Sequence, residues 1–292
     1  MSDLAISICT VDRSHFGKAN YFDRMWESLV KSGFREQARD CPTAIFDAGV
    51  GLGWAKHCEA LTACRVYPGP TVATTPLDVQ RQFPRIYAWL ASTGCEYGLF
   101  LEDDVIFCKN FIAGVREWLA TTVPTTGALY HLSTQYEWAN EPNNVERGWT
   151  IQPTEGYYGT QSVVLPSSTA LGFLLSEQYQ FTQRHTKGGD MSLKAYVEAT
   201  GGTIYVHCPS LCEHIGLESA VGSEWGKDPV YFAGEDFDAL ARYQKGTPCA
   251  SCPSVTTCSS RAVSASSTRC CARGWPPRAT RCSASASGTP SP

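Results

Sequence analysis

Three consecutive carboxylates interrupt an otherwise apolar run over residues 99–107, and this run limits the possible folds more than any other part of the sequence. Glu102, Asp103 and Asp104 lie between Leu-Phe-Leu and Val-Ile-Phe. The apolar residues predict a buried strand over residues 97–107. Three adjacent anions at the edge of a core repel one another, so they require hydrogen-bond donors or a cation. A magnesium or manganese site fits oxygen ligands of this kind, and a solvated acidic turn is the alternative.

The chain alternates between apolar strands and amphipathic helices. Strands are predicted over residues 4–9, 43–47, 64–67 and 97–107, and helices over residues 20–32 and 77–92. This order predicts an α/β protein whose mixed, mainly parallel sheet is flanked by helices. In such sheets ligands bind at the carboxyl ends of the strands, where the three acids are expected to lie.

Composition indicates a globular protein with a substantial core. The chain has 292 residues, of which 43% are hydrophobic and 11% aromatic, enough for one large domain or two small ones. The first nine residues resemble no signal peptide, and no run of about 18 apolar residues predicts a membrane span. We therefore expect a cytoplasmic protein, in a bacterium or in the host of a virus.

The last 44 residues differ in composition from the rest. Residues 249–292 contain six Cys, eleven Ser and five Arg, but no Asp, Glu, Lys, Leu, Ile, Phe or Tyr. Too little apolar surface is present to offset the entropy of ordering, so we expect a disordered tail after a domain over residues 1–248. Cys249 and Cys252 resemble half of a zinc site, but no second pair follows. A frameshifted reading of GC-rich DNA is a further hypothesis for the tail.

Charge excludes nonspecific binding to nucleic acid as the function of the main domain. All five charges of the tail are basic, so residues 1–248 hold 19 basic and 28 acidic residues, a net charge of −9. Such a domain repels phosphate backbones on average. A local basic patch stays possible.

Several motifs, in their order along the chain, resemble the nucleotide-sugar-dependent glycosyltransferases of the GT-A fold. The resemblance covers residues 4–222 and begins with Thr10 and Arg13 after the first predicted strand. Glu102-Asp103-Asp104 is similar to the family's Asp-x-Asp motif. Residues 209–219 fit the pattern Pro-x-x-x-x-His-x-Gly-x-x-Ser of N-acetylglucosaminyltransferase IV-like enzymes. The resemblance implies a Rossmann-like GT-A domain.

The resemblance also implies a donor site that contains a divalent cation, Mn²⁺ or Mg²⁺. Asp104 and His214 would be its ligands, with His207 as a competitor for the second position. Asp103 would contact the sugar or ribose of a nucleoside diphosphate sugar, expected to be a UDP-sugar, and Glu102 would orient its neighbours. As the nucleoside diphosphate leaves, a cation stabilises the negative charge that develops on its oxygens.

Asp190 is the candidate catalytic base. An inverting transferase needs a carboxylate that accepts the proton of the attacking hydroxyl. Asp190 follows two glycines at the start of a predicted helix and is similar to the acid of the family's acceptor site. A helix N-cap is the structural alternative, because Asp is among the preferred capping residues.

Five further residues are candidates for donor binding. Arg81 and Arg85 lie one helical turn apart and could face the diphosphate, although a solvated helix face explains them nearly as well. Gly159, Thr160 and Gln161 resemble the loop that closes over the donor and acceptor sugars.

The sequence favours a metal-dependent glycosyltransferase, either hexosyl- or N-acetylhexosaminyltransferase, and leaves two other classes open. The acceptor is expected to be a glycan or another hydroxyl compound, and a hydroxylated base in viral DNA is an alternative. A metal-dependent phosphohydrolase or nucleotidyltransferase uses similar acids. A carbohydrate-binding module would use the exposed aromatic residues and no metal.

Overall fold

A computed structural model describes residues 3–48, 52–69, 82–122, 127–133, 137–157, 159–180, 189–216 and 231–244. Its strands are β1 (Leu4–Thr10), β2 (Thr43–Asp47), β3 (Arg65–Tyr67), β4 (Tyr97–Glu102), β5 (Val105–Phe107), β6 (Leu129–His131), β7 (Trp149–Gln152), β8 (Ser162–Pro166), β9 (Ile204–His207) and β10 (Cys212–His214). Its α-helices are α1 (Phe22–Lys31), α2 (Phe34–Gln37), α3 (Leu52–Thr62), α4 (Gln82–Ser92), α5 (Phe111–Thr121), α6 (Pro142–Arg147), α7 (Ser167–Leu174), α8 (Gly189–Ala199) and α9 (Ala241–Gln244).

One large sheet organises the fold, with the strand order β3-β2-β1-β4-β8-β6-β9-β7. The first four strands in this order are parallel, and β8 pairs antiparallel with both β4 and β6. Strand β9 is parallel to β6 and antiparallel to β7. The predicted fold class, a mixed and mainly parallel α/β sheet flanked by helices, is confirmed.

Helices cover both faces of this sheet. Successive residues of a strand point to opposite faces, and both faces of this sheet are apolar. Leu4, Ile6 and Ile8 of β1 pack in a core with residues of α1 and α5. Ala5 and Cys9 point to the opposite face and pack in a second core with residues of α4 and α7. All seven residues of β1 are buried, as expected for a strand covered on both faces.

The prediction of one continuous strand over residues 97–107 is wrong. Strand β4 ends at Glu102, Asp103 and Asp104 form a turn, and β5 begins at Val105. Strand β5 then joins a separate two-stranded sheet, in which Val105 pairs with His214 of β10. The carboxylates of both acids bond to side chains outside the ladder, and the change of sheet brings His214 beside them.

Some predicted elements lie partly or wholly outside the residues that the structure describes. The helix predicted over residues 77–92 is observed from Gln82 to Ser92, and its first five residues lie outside the described part of the chain. The boundary at residue 248 and the disordered tail also lie outside it and stay predictions. In the ranges that the structure describes, no helix has the length and apolar character needed to cross a bilayer.

Candidate donor and acceptor site

The predicted donor residues lie where the connections of the sheet change direction. From β1 the chain adds β2 and β3 on one side and then returns to add β4 on the other. The crevice outside the carboxyl ends of β1 and β4 is therefore a topological switch point, the usual ligand site of open α/β sheets. Arg13 follows β1 and the acids Asp103 and Asp104 follow β4, so both segments border this crevice.

Asp103 is tied to the end of β1 by three donors. Its Oδ2 accepts hydrogen bonds from Thr10 Oγ1, at 2.9 Å, and from the Val11 amide, at 3.1 Å. Its Oδ1 lies 2.6 Å from Arg13 Nη2. The residue is only 3% exposed, so these bonds replace the water that an ionised carboxylate requires. Asp103 fixes the geometry of the crevice, and its predicted contact with the donor sugar stays a prediction.

Asp104 joins Arg13 to His214 through a single oxygen. Oδ2 lies 2.8 Å from Arg13 Nη2 and 3.0 Å from His214 Nε2. Burial raises the pKa of Asp104, but the bonds to His214 and Arg13 outweigh it and lower the pKa to about 2. The second oxygen, Oδ1, is buried with no hydrogen-bond partner. The negative charge of this carboxylate makes Asp104 a suitable ligand for a cation.

Gly216 has no side chain, which leaves open the space beside Asp104 Oδ2 and His214 Nε2. A Cβ at this position would overlap Asp104 Oδ2 and would lie 2.9 Å from His214 Nε2. A carboxylate and an imidazole form a donor set that suits Mn²⁺, so the residues fit the implied cation. The described ranges contain no group of three His, Cys, Asp or Glu side chains arranged for a metal ion.

Gly216→Ala is expected to weaken Mn²⁺ binding by about tenfold, because the added methyl group would fill the space beside Asp104 Oδ2 and His214 Nε2 in which a cation would bind. Titration calorimetry with Mn²⁺ measures the effect. Gly53→Ala is the matched control, since a Cβ on Gly53 meets nothing within 4 Å. Equal Mn²⁺ affinity in Gly216→Ala and the wild type would show that the opening does not serve a cation.

Glu102 connects its neighbours Asp103 and Asp104 to the loop before β8. Thr160 Oγ1 donates to Glu102 Oε1 at 2.9 Å, and the Glu102 amide donates to the Gln161 carbonyl at the same distance. Burial and the neighbouring Asp104 raise the pKa of Glu102 to about 7. Gly159 has φ of 89°, which favours glycine. The three predicted loop residues thus lie beside the end of β4.

Glu102→Gln is expected to change how stability depends on pH. The pKa of Glu102 rises from 4.5 to about 7 on folding, so the folded protein binds the proton more tightly and loses stability as pH rises through this window. Gln cannot ionise and avoids the loss. The free energy of unfolding of the variant, relative to wild type, should increase by about 3 kcal/mol between pH 4.5 and pH 8.

Urea unfolding of both proteins at the two pH values, in the presence of a metal chelator, measures this difference. Glu96→Gln is the control, because Glu96 is an exposed acid next to the start of β4. A stability difference that stays constant between pH 4.5 and pH 8 would contradict the prediction.

Asp190 is held by two backbone amides at the start of α8. Its Oδ2 accepts from the Gly159 amide at 2.9 Å, and its Oδ1 accepts from the Met191 amide at 2.8 Å. Asp190 lies inside the helix rather than at its N-cap position, so a standard capping role does not explain it. Gly159 therefore contacts Asp190, and the next residue, Thr160, contacts Glu102. These two loop residues connect the predicted base to Glu102.

The other predicted residues contact groups other than Asp103, Asp104 and Asp190, or lie outside the described part of the chain. Arg85 donates to Gln82 on its own helix. Arg81 lies outside the described residues. The ring of His207 is buried, with Nδ1 2.7 Å from the Pro209 carbonyl and Nε2 3.4 Å from Tyr243 Oη. His207 is therefore a structural histidine, and His214 is the one beside Asp104.

Three residues that lie at this crevice were not among the site residues predicted from the sequence. Trp54 Nε1 donates to Thr10 Oγ1 at 3.2 Å, and Asp47 is fully buried at the carboxyl end of β2, in register with Thr10. The third is Gly216. An acid at the end of a predicted strand was a usable signal for Asp47, whereas the contact of Trp54 depends on the packing of α3.

Comparisons with known proteins show distant likenesses only. No protein-family model and no curated protein matches the chain. A Bacillus anthracis protein described as a glucose-1-phosphate thymidylyltransferase is 9% identical, over 77% of this chain and 98% of its own, with a TM-score of 0.45. S. aureus TarS (residues 1–349) is 11% identical over 71% and 58%, with a TM-score of 0.43. Galactosyltransferase LgtC is 12% identical over 66% and 70%, with a TM-score of 0.40. Likenesses of this size assign no function.

Proposed function

We propose that the chain is a cation-dependent glycosyltransferase that moves a sugar from a nucleoside diphosphate donor, a UDP-sugar, to an acceptor hydroxyl with inversion. The observation that carries this proposal is the pairing of Asp104 with His214 at the switch point of the sheet. The pair supplies two ligands and leaves the other positions of a cation to phosphate oxygens and water.

Charge at the crevice supports a diphosphate as the group bound there. Arg13 offsets one of the charges of Asp103 and Asp104, so the pair of aspartates keeps a net negative charge. A diphosphate alone would be repelled, whereas a divalent cation would be attracted to the aspartates and would neutralise the two charges of a nucleotide sugar's diphosphate. When bound, the cation acts as a Lewis acid that stabilises the charge of the departing phosphate. Asp104 and His214 would hold it.

Asp190 supplies the base for the acceptor. In the proposed step the acceptor oxygen forms a bond to the anomeric carbon, and the bond from that carbon to the phosphate oxygen breaks. The electron pair leaves with the diphosphate, and the proton of the acceptor moves to the Asp190 carboxylate. The amides of Gly159 and Met191 fix this carboxylate, which keeps its remaining lone pairs available for the acceptor.

A thermal-shift screen of nucleotide sugars, with and without Mn²⁺, tests the proposal. Binding to the folded state raises the melting temperature, so we expect a UDP-sugar to raise it only when Mn²⁺ is present. Asp104→Asn should abolish the response. A response to free sugars without metal would favour a carbohydrate-binding module, and no response to any nucleotide would refute the proposed function.

A further inference from the structure

Arg13 already occupies the position of a counter-ion to the two donor aspartates. One nitrogen, Nη2, lies 2.6 Å from Asp103 Oδ1 and 2.8 Å from Asp104 Oδ2. Arg13 is only 4% exposed, so little water screens these contacts. The oxygen of Asp104 that faces His214 is therefore shared between the imidazole and a fixed positive charge.

Neighbouring residues hold Arg13 and its guanidinium in this position. The Arg13 amide donates to Asn20 Oδ1 at 2.6 Å, and the guanidinium lies 5.1 Å from the centre of the Tyr21 ring. Asp12 caps the short 3-10 helix Arg13–Phe16 by accepting from the Ser14 amide. An arginine held by backbone, ring and carboxylate contacts retains its position without a bound ligand.

We infer that Arg13 is a resident counter-cation that competes with the divalent cation for Asp104. The inference rests on the proposed function, because it uses the cation of that function. A divalent ion on Asp104 Oδ2 would lie close to the Arg13 charge and would be repelled. Arg13 therefore stabilises the empty site and lowers its affinity for a free cation. A donor diphosphate offers Arg13 another anion, so the cation binds more readily together with the donor.

Titration of the purified full-length protein with Mn²⁺ alone, read by the electron paramagnetic resonance signal of free Mn²⁺, tests this competition. Arg13→Gln is expected to bind Mn²⁺ about tenfold more tightly than wild type. Arg24→Gln is the matched control, since Arg24 forms an ion pair with Glu235 away from the crevice, and it should bind like wild type. Asp104→Asn should not bind.

The same titration separates failure of the inference from failure of the proposed function. Equal or weaker Mn²⁺ binding by Arg13→Gln, with binding lost in Asp104→Asn, would overturn the competition and leave the cation site intact. If no variant binds Mn²⁺, the cation site and the competition both fail.

Arg13→Gln leaves two buried carboxylates without their counter-ion, so its folding is checked by circular dichroism. We expect Mn²⁺ to raise its melting temperature more than that of wild type, because the ion replaces the lost charge. If the variant does not fold, the same titration of the wild-type protein with and without UDP decides the matter. Mn²⁺ should bind about tenfold more tightly when UDP is present, because the diphosphate offers Arg13 another anion. Equal Mn²⁺ affinity with and without UDP would overturn the inference.

Discussion

Asp104→Asn is expected to lower kcat/KM for sugar transfer by about a thousandfold, which corresponds to about 4 kcal/mol of transition-state stabilisation. The substitution keeps the size of the side chain but removes the charge that faces His214 and Arg13. Asn is a poor ligand for a divalent cation, so Mn²⁺ affinity should fall together with the rate. Steady-state kinetics at saturating and limiting Mn²⁺ measures both effects.

The chain provides a close control for this substitution. Asp23 and His57 also form an Asp–His pair, with Oδ1 and Nε2 2.8 Å apart, but both side chains lie at the surface. Asp23→Asn should leave the rate unchanged. Asp103 retains its bonds to Thr10 and Arg13 in Asp104→Asn, so the variant should fold. Full activity in folded Asp104→Asn would contradict the assigned role of Asp104.

Asp190→Asn is expected to lower kcat by about 10²–10⁴-fold, the range for loss of a general base. The amide oxygen of Asn can still accept from the Gly159 amide, so the loop and the donor KM should change little. A merely structural role for Asp190 would instead raise KM or lower stability. Rapid-quench measurement of the chemical step, combined with the melting temperature, distinguishes these effects.

Glu198→Gln serves as the control on the same helix, because Glu198 is exposed and lies 3.9 Å from Lys194. It should retain the wild-type kcat. A wild-type kcat in Asp190→Asn would refute the assignment of the base. Retention of the donor's anomeric configuration in the product would also refute it, because a single displacement assisted by a base inverts that carbon.

The sheet was predictable from the sequence because its strands are buried on both faces. Residues 4–9 and 43–47 are mostly apolar, and tertiary packing reinforces this preference for a buried strand rather than overriding it. The break after Glu102 was not predictable from the same pattern. Residues 105–107 are as apolar as the strand before them, and only their pairing with β10, more than a hundred residues later, assigns them to another sheet.

The cluster of site residues was predictable as a set of candidates but not as a geometry. The pair of Asp104 and His214 spans 110 positions, and the bond from Thr10 to Asp103 spans 93. Local periodicity contains no information about contacts between residues that are so far apart in the sequence. The family resemblance, and not periodicity, suggested these residues. The resemblance did not predict that Arg13 bonds to both aspartates, because that contact depends on side-chain conformations at the ends of two strands.

The nucleotide product shows which bond of the donor is cleaved, and so distinguishes glycosyl transfer from phosphoryl transfer. The wild-type protein is incubated with a UDP-sugar and Mn²⁺, and the nucleotide products are separated by anion-exchange chromatography. We expect cleavage between the anomeric carbon and the phosphate oxygen, which yields UDP, even where water replaces the natural acceptor. Asp104→Asn should yield none. Release of UMP and sugar phosphate would contradict the account, because it would show that the site breaks the diphosphate and not the glycosidic bond.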